Sequence, residues 1–201
     1  GGSSADELYM VDYANLGSST KINGPLVSGG SVTKVYQISD DGMKVLYLAQ
    51  EDSIGIIELY VVDLTNPGVS TKLNSDLASG GDVTSFILSS DGTKVLYRAD
   101  QDTDDVTELY TVDLDVPRVS TKVNAALVPP EGDVIQFRLT ADATQAVYLA
   151  DQATDKLFEL YTVDLANPGQ ATKLNPTPTG SIDISFTLSP DGTKVLYIAA
   201  D

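Results

Sequence analysis

The sequence predicts an all-β fold made of four copies of one four-stranded antiparallel unit, and three observations predict it. The segments ELYMVDY (7–13), ELYVVDL (58–64), ELYTVDL (108–114) and ELYTVDL (159–165) recur every 50 or 51 residues along the 201-residue chain, a fixed period that marks a repeat architecture. Between them the apolar residues alternate with period two and are rich in Val, Ile, Leu, Thr, Tyr and Phe, as half-buried strands require. Tight-turn signals, DDG (40–42), SDG (90–92) and PDG (190–192), fall at matching places in three of the copies.

Each element of the unit can be justified in turn. The ELY segment carries apolar mass on both faces: Leu109 alternates with Tyr110, Val112 and Leu114. A strand between two neighbouring sheets reads this way. A TK-apolar-N element follows at Thr20, Thr71, Thr121 and Thr172, short enough for an outer strand. A stretch bearing Gly or Pro leads into an alternating strand such as DVTSFILSS, and the Asp-Gly turn then reverses the chain into KVLYLA, KVLYRA, AVYLA or KVLYIA. Glycine takes positive φ at no steric cost, which suits that turn. The third copy, ADAT (141–144), has Ala143 there, so its turn must change type or carry strain.

Four-stranded repeats of this length bury both sheet faces when they stand side by side around an axis, which is a β-propeller. The wording SPDGTKVLYIA followed by ELYTVDL closely resembles the TolB-like propeller repeat, a relative of the WD repeat, over residues 7–201. Having no Trp and no His, the chain departs from true WD repeats. The resemblance implies a single β-propeller domain over 7–201, and four repeats fit a segment excised or engineered from a larger ring; residues 1–6, opening on GGSS, read as a linker or a cloning scar. It says little about activity.

Lettering the strands A to D outward from the axis, as the resemblance implies, the chain opens on C and D and closes on A and B at about 182–199. The fourth blade must then join residues 7–23 to the C-terminal hairpin. Inside one chain this gives a closed four-bladed monomer; between two chains it gives an eight-bladed homodimer. Four blades would leave wide outer gaps that these short loops fill poorly, and twofold closure is the commonest assembly, so the homodimer is expected.

Twenty-nine acidic and twelve basic residues leave a net charge of −17, so nucleic acid and anionic membranes are repelled while a cation or a basic protein or peptide is favoured. The chain has no Cys, which removes disulfides and thiolate chemistry. No apolar run approaches the roughly 20 residues of a membrane span, and the N-terminal residues lack a signal peptide's basic and apolar regions. A soluble protein is expected, and a secreted or periplasmic origin is compatible with that.

Loop positions place Glu51, Asp52, Asp100, Asp102, Asp104, Asp105, Asp151, Asp155, Asp6 and Asp201 on one face, with Lys44, Lys94 and Lys194 near the opposite turns. The cluster of Asp100, Asp102, Asp104 and Asp105 alternates acids as calcium loops do, though it lacks the Gly and twelfth-position Glu of an EF-hand. Solvation of an acidic hairpin is the competing explanation, so no cofactor is expected beyond a candidate Ca2+ here. Glu7, Glu58, Glu108 and Glu159 recur in every copy and so read as serving the blade rather than as acid–base catalysts. Asp12, Asp63, Asp113 and Asp164 read as caps of the C–D turn. Tyr47, Tyr97, Tyr148 and Tyr197, with Tyr9, Tyr60, Tyr110 and Tyr161, read as aromatic packing between blades whose hydroxyls reach solvent or backbone.

Residues that break the repeat are freer to bind: Lys34, Arg98, Arg118, Arg138, Lys156, Tyr13 and Tyr36. Lys34, Gln136 and Arg138 fall on inner strands, where an axial ligand would make contact. With no nucleophile motif, His base, P-loop or dinucleotide turn, the sequence points to a non-enzymatic scaffold or binding module. The alternative is a propeller-family hydrolase or lyase working through carboxylates and a bound cation.

Overall fold

The computed structural model describes residues 5–128, 132–176 and 182–199, and within them there is no helix. A two-stranded sheet opens the chain, β1 (Tyr9–Met10) beside β2 (Thr20–Lys21). Three complete four-stranded blades follow. The first holds β3 (Val32–Ile38), β4 (Lys44–Ala49), β5 (Glu58–Asp63) and β6 (Ser70–Lys72), and the second β7 (Val83–Leu88), β8 (Lys94–Ala99), β9 (Glu108–Asp113) and β10 (Ser120–Lys122). The third holds β11 (Val134–Leu139), β12 (Gln145–Ala150), β13 (Glu159–Asp164) and β14 (Thr172–Lys173). A second two-stranded sheet, β15 (Ile182–Leu188) with β16 (Val195–Ala199), ends it.

Every sheet is antiparallel with neighbours in chain order, and each A–B pair carries a register irregularity in its inner strand. Between successive units the backbone makes one recurring bond. The amide groups of Val32, Val83, Val134 and Ile182 donate to the carbonyls of Asp6, Ile57, Thr107 and Phe158. This stitches the first residue of each inner strand to the outer-loop entry of the unit before it.

The A–B turns explain their own sequence. In the first blade the Ser39 hydroxyl donates to Asp41 at 2.5 Å, and Asp41 accepts the Met43 amide at 2.9 Å. Ser89–Asp91, Thr140–Asp142 and Ser189–Asp191 repeat the pairing. These hydroxyl and amide donors hold the Asp41, Asp91, Asp142 and Asp191 carboxyls below the usual range. Gly42, Gly92 and Gly192 follow at φ 69°, 70° and 68°, and Ala143 sits at φ 54°. The third turn therefore keeps its type and carries the strain. On the C–D turns, Asp12, Asp63 and Asp164 each accept a backbone amide two residues on at 2.8 Å, as expected of caps. Asp113 instead ion-pairs with Lys94.

The core lies between blades as well as within them. Leu46 and Leu48 of the first blade pack with Phe86 and Leu88 of the second; Leu96 with Phe137; Val147 and Leu149 with Phe186. Large apolar side chains on strand B thus face the inner strand of the following blade, and burying them is the main favourable term in holding blades together.

The fourth blade is present as two halves. Among the described residues β1–β2 and β15–β16 form separate sheets, with no strand pairing between them.

Candidate functional site

The repeated side chains that could have been catalytic are each consumed inside their own blade. Tyr47 stacks on Tyr60, Tyr97 on Tyr110 and Tyr148 on Tyr161, with ring centroids 5.5–5.9 Å apart. The Tyr60, Tyr110 and Tyr161 hydroxyls donate to Glu58, Glu108 and Glu159 at 2.9–3.0 Å. Those buried carboxylates also pair with Lys72, Lys122 and Lys173 from strand D. These three hydroxyls reach carboxylates, a contact that depends on strand pairing, whereas those of Tyr47 and Tyr148 accept the backbone amides of Gly24 and Ala125, as the sequence led one to expect. Burial pulls the Lys72 and Lys122 amines down, yet the neighbouring carboxylates more than reverse this and leave both above the usual range.

The asparagine of the TK-apolar-N element has a role that strand-level reasoning missed. Asn23, Asn74, Asn124 and Asn175 accept the amides of Leu8, Leu59, Leu109 and Leu160 at 2.7–2.8 Å. Each also donates to the carbonyl of its following residue. The invariance of that Asn across four copies was the available signal.

The acidic face is partly neutralised by lysines from the same blades. Lys72 pairs with Asp52 at 3.0 Å and Lys122 with Asp102 at 2.9 Å. Asp100 accepts the Asp82 amide at 2.5 Å, and Asp105 holds a left-handed turn at φ 61°. Among the described residues no group of three or more acidic side chains converges so as to hold a metal ion. Asp201 lies outside the described residues.

Glu51 stands apart. Its counterparts are Gln101 and Gln152, which accept the Tyr97 and Tyr148 hydroxyls at 2.5 Å. Glu51 accepts Tyr47 at 2.6 Å and the Ser70 hydroxyl as well. Burial raises its carboxyl above the usual range, against those two donors. Desolvation likewise pushes the Tyr97 phenol up to about 12.

Of the expected axial contacts, Gln136 and Arg138 share a cleft of about 200 Å³ between the second and third blades, along with Arg98. Lys34 is exposed on β3 and does not line it. Gln136 accepts the Phe186 amide at 3.2 Å, and the Arg138 guanidinium lies 5.7 Å from the Phe186 ring centroid. Arg98 stands where Leu48 and Leu149 stand in the neighbouring blades. It bridges to the next blade through the Ile135 carbonyl and to Thr84 at 3.0 Å. Burial lowers its proton affinity, with Asp133 opposing. Among the other repeat-breaking residues, Arg118 pairs with Asp76 at 2.7 Å and Lys156 with Asp155 at 3.3 Å. Tyr13 and Tyr36 are exposed.

The largest departure from the repeat pattern is at the two half-blades. Tyr9, Val11, Leu196, Tyr197 and Ile198 are exposed, as are Tyr36 and Ile38 of the facing first blade. Their counterparts in the complete blades include Tyr60, Val62, Leu46, Tyr47, Leu48, Phe86 and Leu88, all buried. An apolar groove of about 320 Å³ runs between β1 and β3, lined by Leu8, Tyr9, Met10, Tyr36 and Ile38.

No family model matches the chain and no curated protein matches it. Solved structures do. A protein of Agrobacterium tumefaciens described as TolB aligns over 99% of this chain with a TM-score of 0.62 at 19% identity. The tricorn protease aligns over 89% with a TM-score of 0.64 at 15% identity, and prolyl oligopeptidase B from Galerina marginata over 89% with 0.61 at 14%. The chain spans 65%, 16% and 27% of the lengths of those three chains. Its fold is that of a TolB-like β-propeller. Among the described residues no helix is long and apolar enough to cross a membrane.

Proposed function

We propose that this chain is a non-enzymatic propeller scaffold or binding module that completes its ring with a second copy of itself. The observation that carries this reading is the exposure in both half-blades of Tyr9, Val11, Leu196 and Tyr197, whose counterparts are buried in all three complete blades. Two copies, each with three complete blades and two halves, make an eight-bladed ring with twofold symmetry. Such a ring removes both free sheet edges, which would otherwise template aggregation. The non-enzymatic reading is supported by the fate of the repeated Glu, Tyr and Lys side chains, which neutralise and saturate one another within each blade.

Within the ring, the cleft holding Gln136, Arg138 and Arg98 is the favoured place for an axial ligand, and its guanidinium groups favour an anion. The acidic loop face favours a basic peptide, or a cation at Asp100, Asp102, Asp104 and Asp105. Solution mass by light scattering tests the assembly. A value of twice the 21.3 kDa chain mass supports the ring, and a single chain mass at micromolar concentration rejects it.

A further inference from the structure

We infer that the C-terminal strand of a second copy enters the groove beside β1 in one register, with the second copy's Tyr197 opposite Tyr9 of the first and its Leu196 opposite Met10. This deepens, and rests on, the twofold ring proposed above.

The register comes from the three complete blades, whose B–C pairs agree residue for residue. Lys44 faces Asp63, Leu46 faces Val61, Tyr47 faces Tyr60 and Ala49 faces Glu58. The second and third blades repeat Tyr97 opposite Tyr110 and Tyr148 opposite Tyr161. The half-blades carry the same order of side chains, Lys194 to Ala199 on one and Glu7 to Asp12 on the other. Laid on that template, Lys194 meets Asp12, as Lys94 meets Asp113 in an ion pair. Tyr197 and Tyr9 gain the stacking that each interior tyrosine pair has. A slip of one residue would turn every side chain of the strand to the opposite face.

The packing supplies an independent reason for the same register. Each interior cluster draws strand B side chains from the preceding blade, such as Leu46 and Leu48, which are 0% and 2% exposed. The cluster of the first blade, built on Ile22, Val32, Val45 and Tyr60, has Leu8 and Met10 beside it but, among the described residues, no strand B side chain from a preceding blade. The side chains it lacks are present at the other end of the chain. Leu196 and Ile198 are 68% and 66% exposed. Opposite them Tyr36 is 60% exposed, where its counterpart Phe86 is 8% exposed. In the inferred register Leu196 and Ile198 point into the groove and cover Tyr36 and Ile38.

The absence of cysteine makes a cross-link test clean. The Leu64 amide donates to the Met43 carbonyl, so alternation along the antiparallel ladder makes Leu46–Val61 a non-hydrogen-bonded pair, the closer kind. Leu196 and Met10 of the second copy occupy the equivalent place, at a Cα separation that a disulfide can span. Under mild oxidation the Met10→Cys/Leu196→Cys protein should give a covalent dimer on a non-reducing gel, while the slipped pair Val11→Cys/Leu196→Cys should not. Independently, Ile198→Asp, at a site exposed in the single chain, should halve the solution mass and leave the far-ultraviolet β signal intact. If the wild-type mass is doubled but the slipped pair cross-links instead, or neither pair does, the register is wrong and the ring stands. A wild-type mass of one chain, or a disulfide closing within one chain, overturns register and ring together.

Discussion

Replacing Ala143 by glycine should stabilise the protein, and the amount can be worked from the turn itself. Ala143 holds φ 54°, where the other three copies place Gly42, Gly92 and Gly192 at 68–70°. A Cβ in the left-handed region costs roughly 1–2 kcal/mol. Glycine also loosens the unfolded chain, which returns about 0.4–1 kcal/mol to the unfolded side. The difference leaves about 0.5–1 kcal/mol in favour of Ala143→Gly. The reverse change, Gly92→Ala, should cost a similar amount, because a Cβ built at Gly92 meets nothing within 4 Å and only backbone strain is added. Urea unfolding of both variants at matched protein concentration is the assay, with the midpoint moving and the slope unchanged. For a chain of this size each kcal/mol corresponds to about 2–4 °C in Tm. Should Ala143→Gly lose stability while Gly92→Ala loses none, the turns do not share a backbone and the strain argument fails.

Glu51→Gln should raise stability at neutral pH and leave it nearly unchanged near pH 4. The folded carboxyl titrates above its ordinary 4.5, mainly through burial. Its stabilising contribution is therefore complete below about pH 4.5 and is lost as pH rises through the folded value. The neutral amide does not titrate and can copy Gln101, which accepts Tyr97 and donates to Ser120 at 3.1 Å. Melting curves at pH 4 and pH 7 check this, and a constant gap between variant and wild type would contradict it. Asn74→Ala should cost about 1–3 kcal/mol by stranding the Leu59 amide in a fully buried site, read out by chemical denaturation. Millimolar calcium should leave Tm unmoved, since Asp100 and Asp102 are already engaged by the Asp82 amide and Lys122. A rise in Tm that Asp102→Asn and Asp104→Asn remove would instead establish the cation site.

The parts of the candidate site that could be read from the sequence are those tied to the period. Glu58, Glu108 and Glu159 recur with the blade and serve it, and the stacked tyrosines occupy the interior as their spacing required. Long side chains were less legible. Lys72 and Lys122 stand on strand D yet end on carboxylates of strand C and the B–C loop, so the acidic face is less bare than loop positions implied. Arg98 could not be placed either, because its partners at Thr84 and Ile135 belong to two different blades.

The sequence alone determined the strand order, the strand boundaries and the identity of the turns. Period-two alternation and left-handed turn residues are local properties that each copy carries by itself, and four copies make them unmistakable. Only the tertiary structure decided that the fourth blade stays in two halves, and that Leu196, Ile198, Tyr36 and Ile38 are left uncovered. The physical reason is that whether two distant edges meet depends on the angle summed over all the blades between them. That angle is set by side chains packing between sheets and is written in no single repeat.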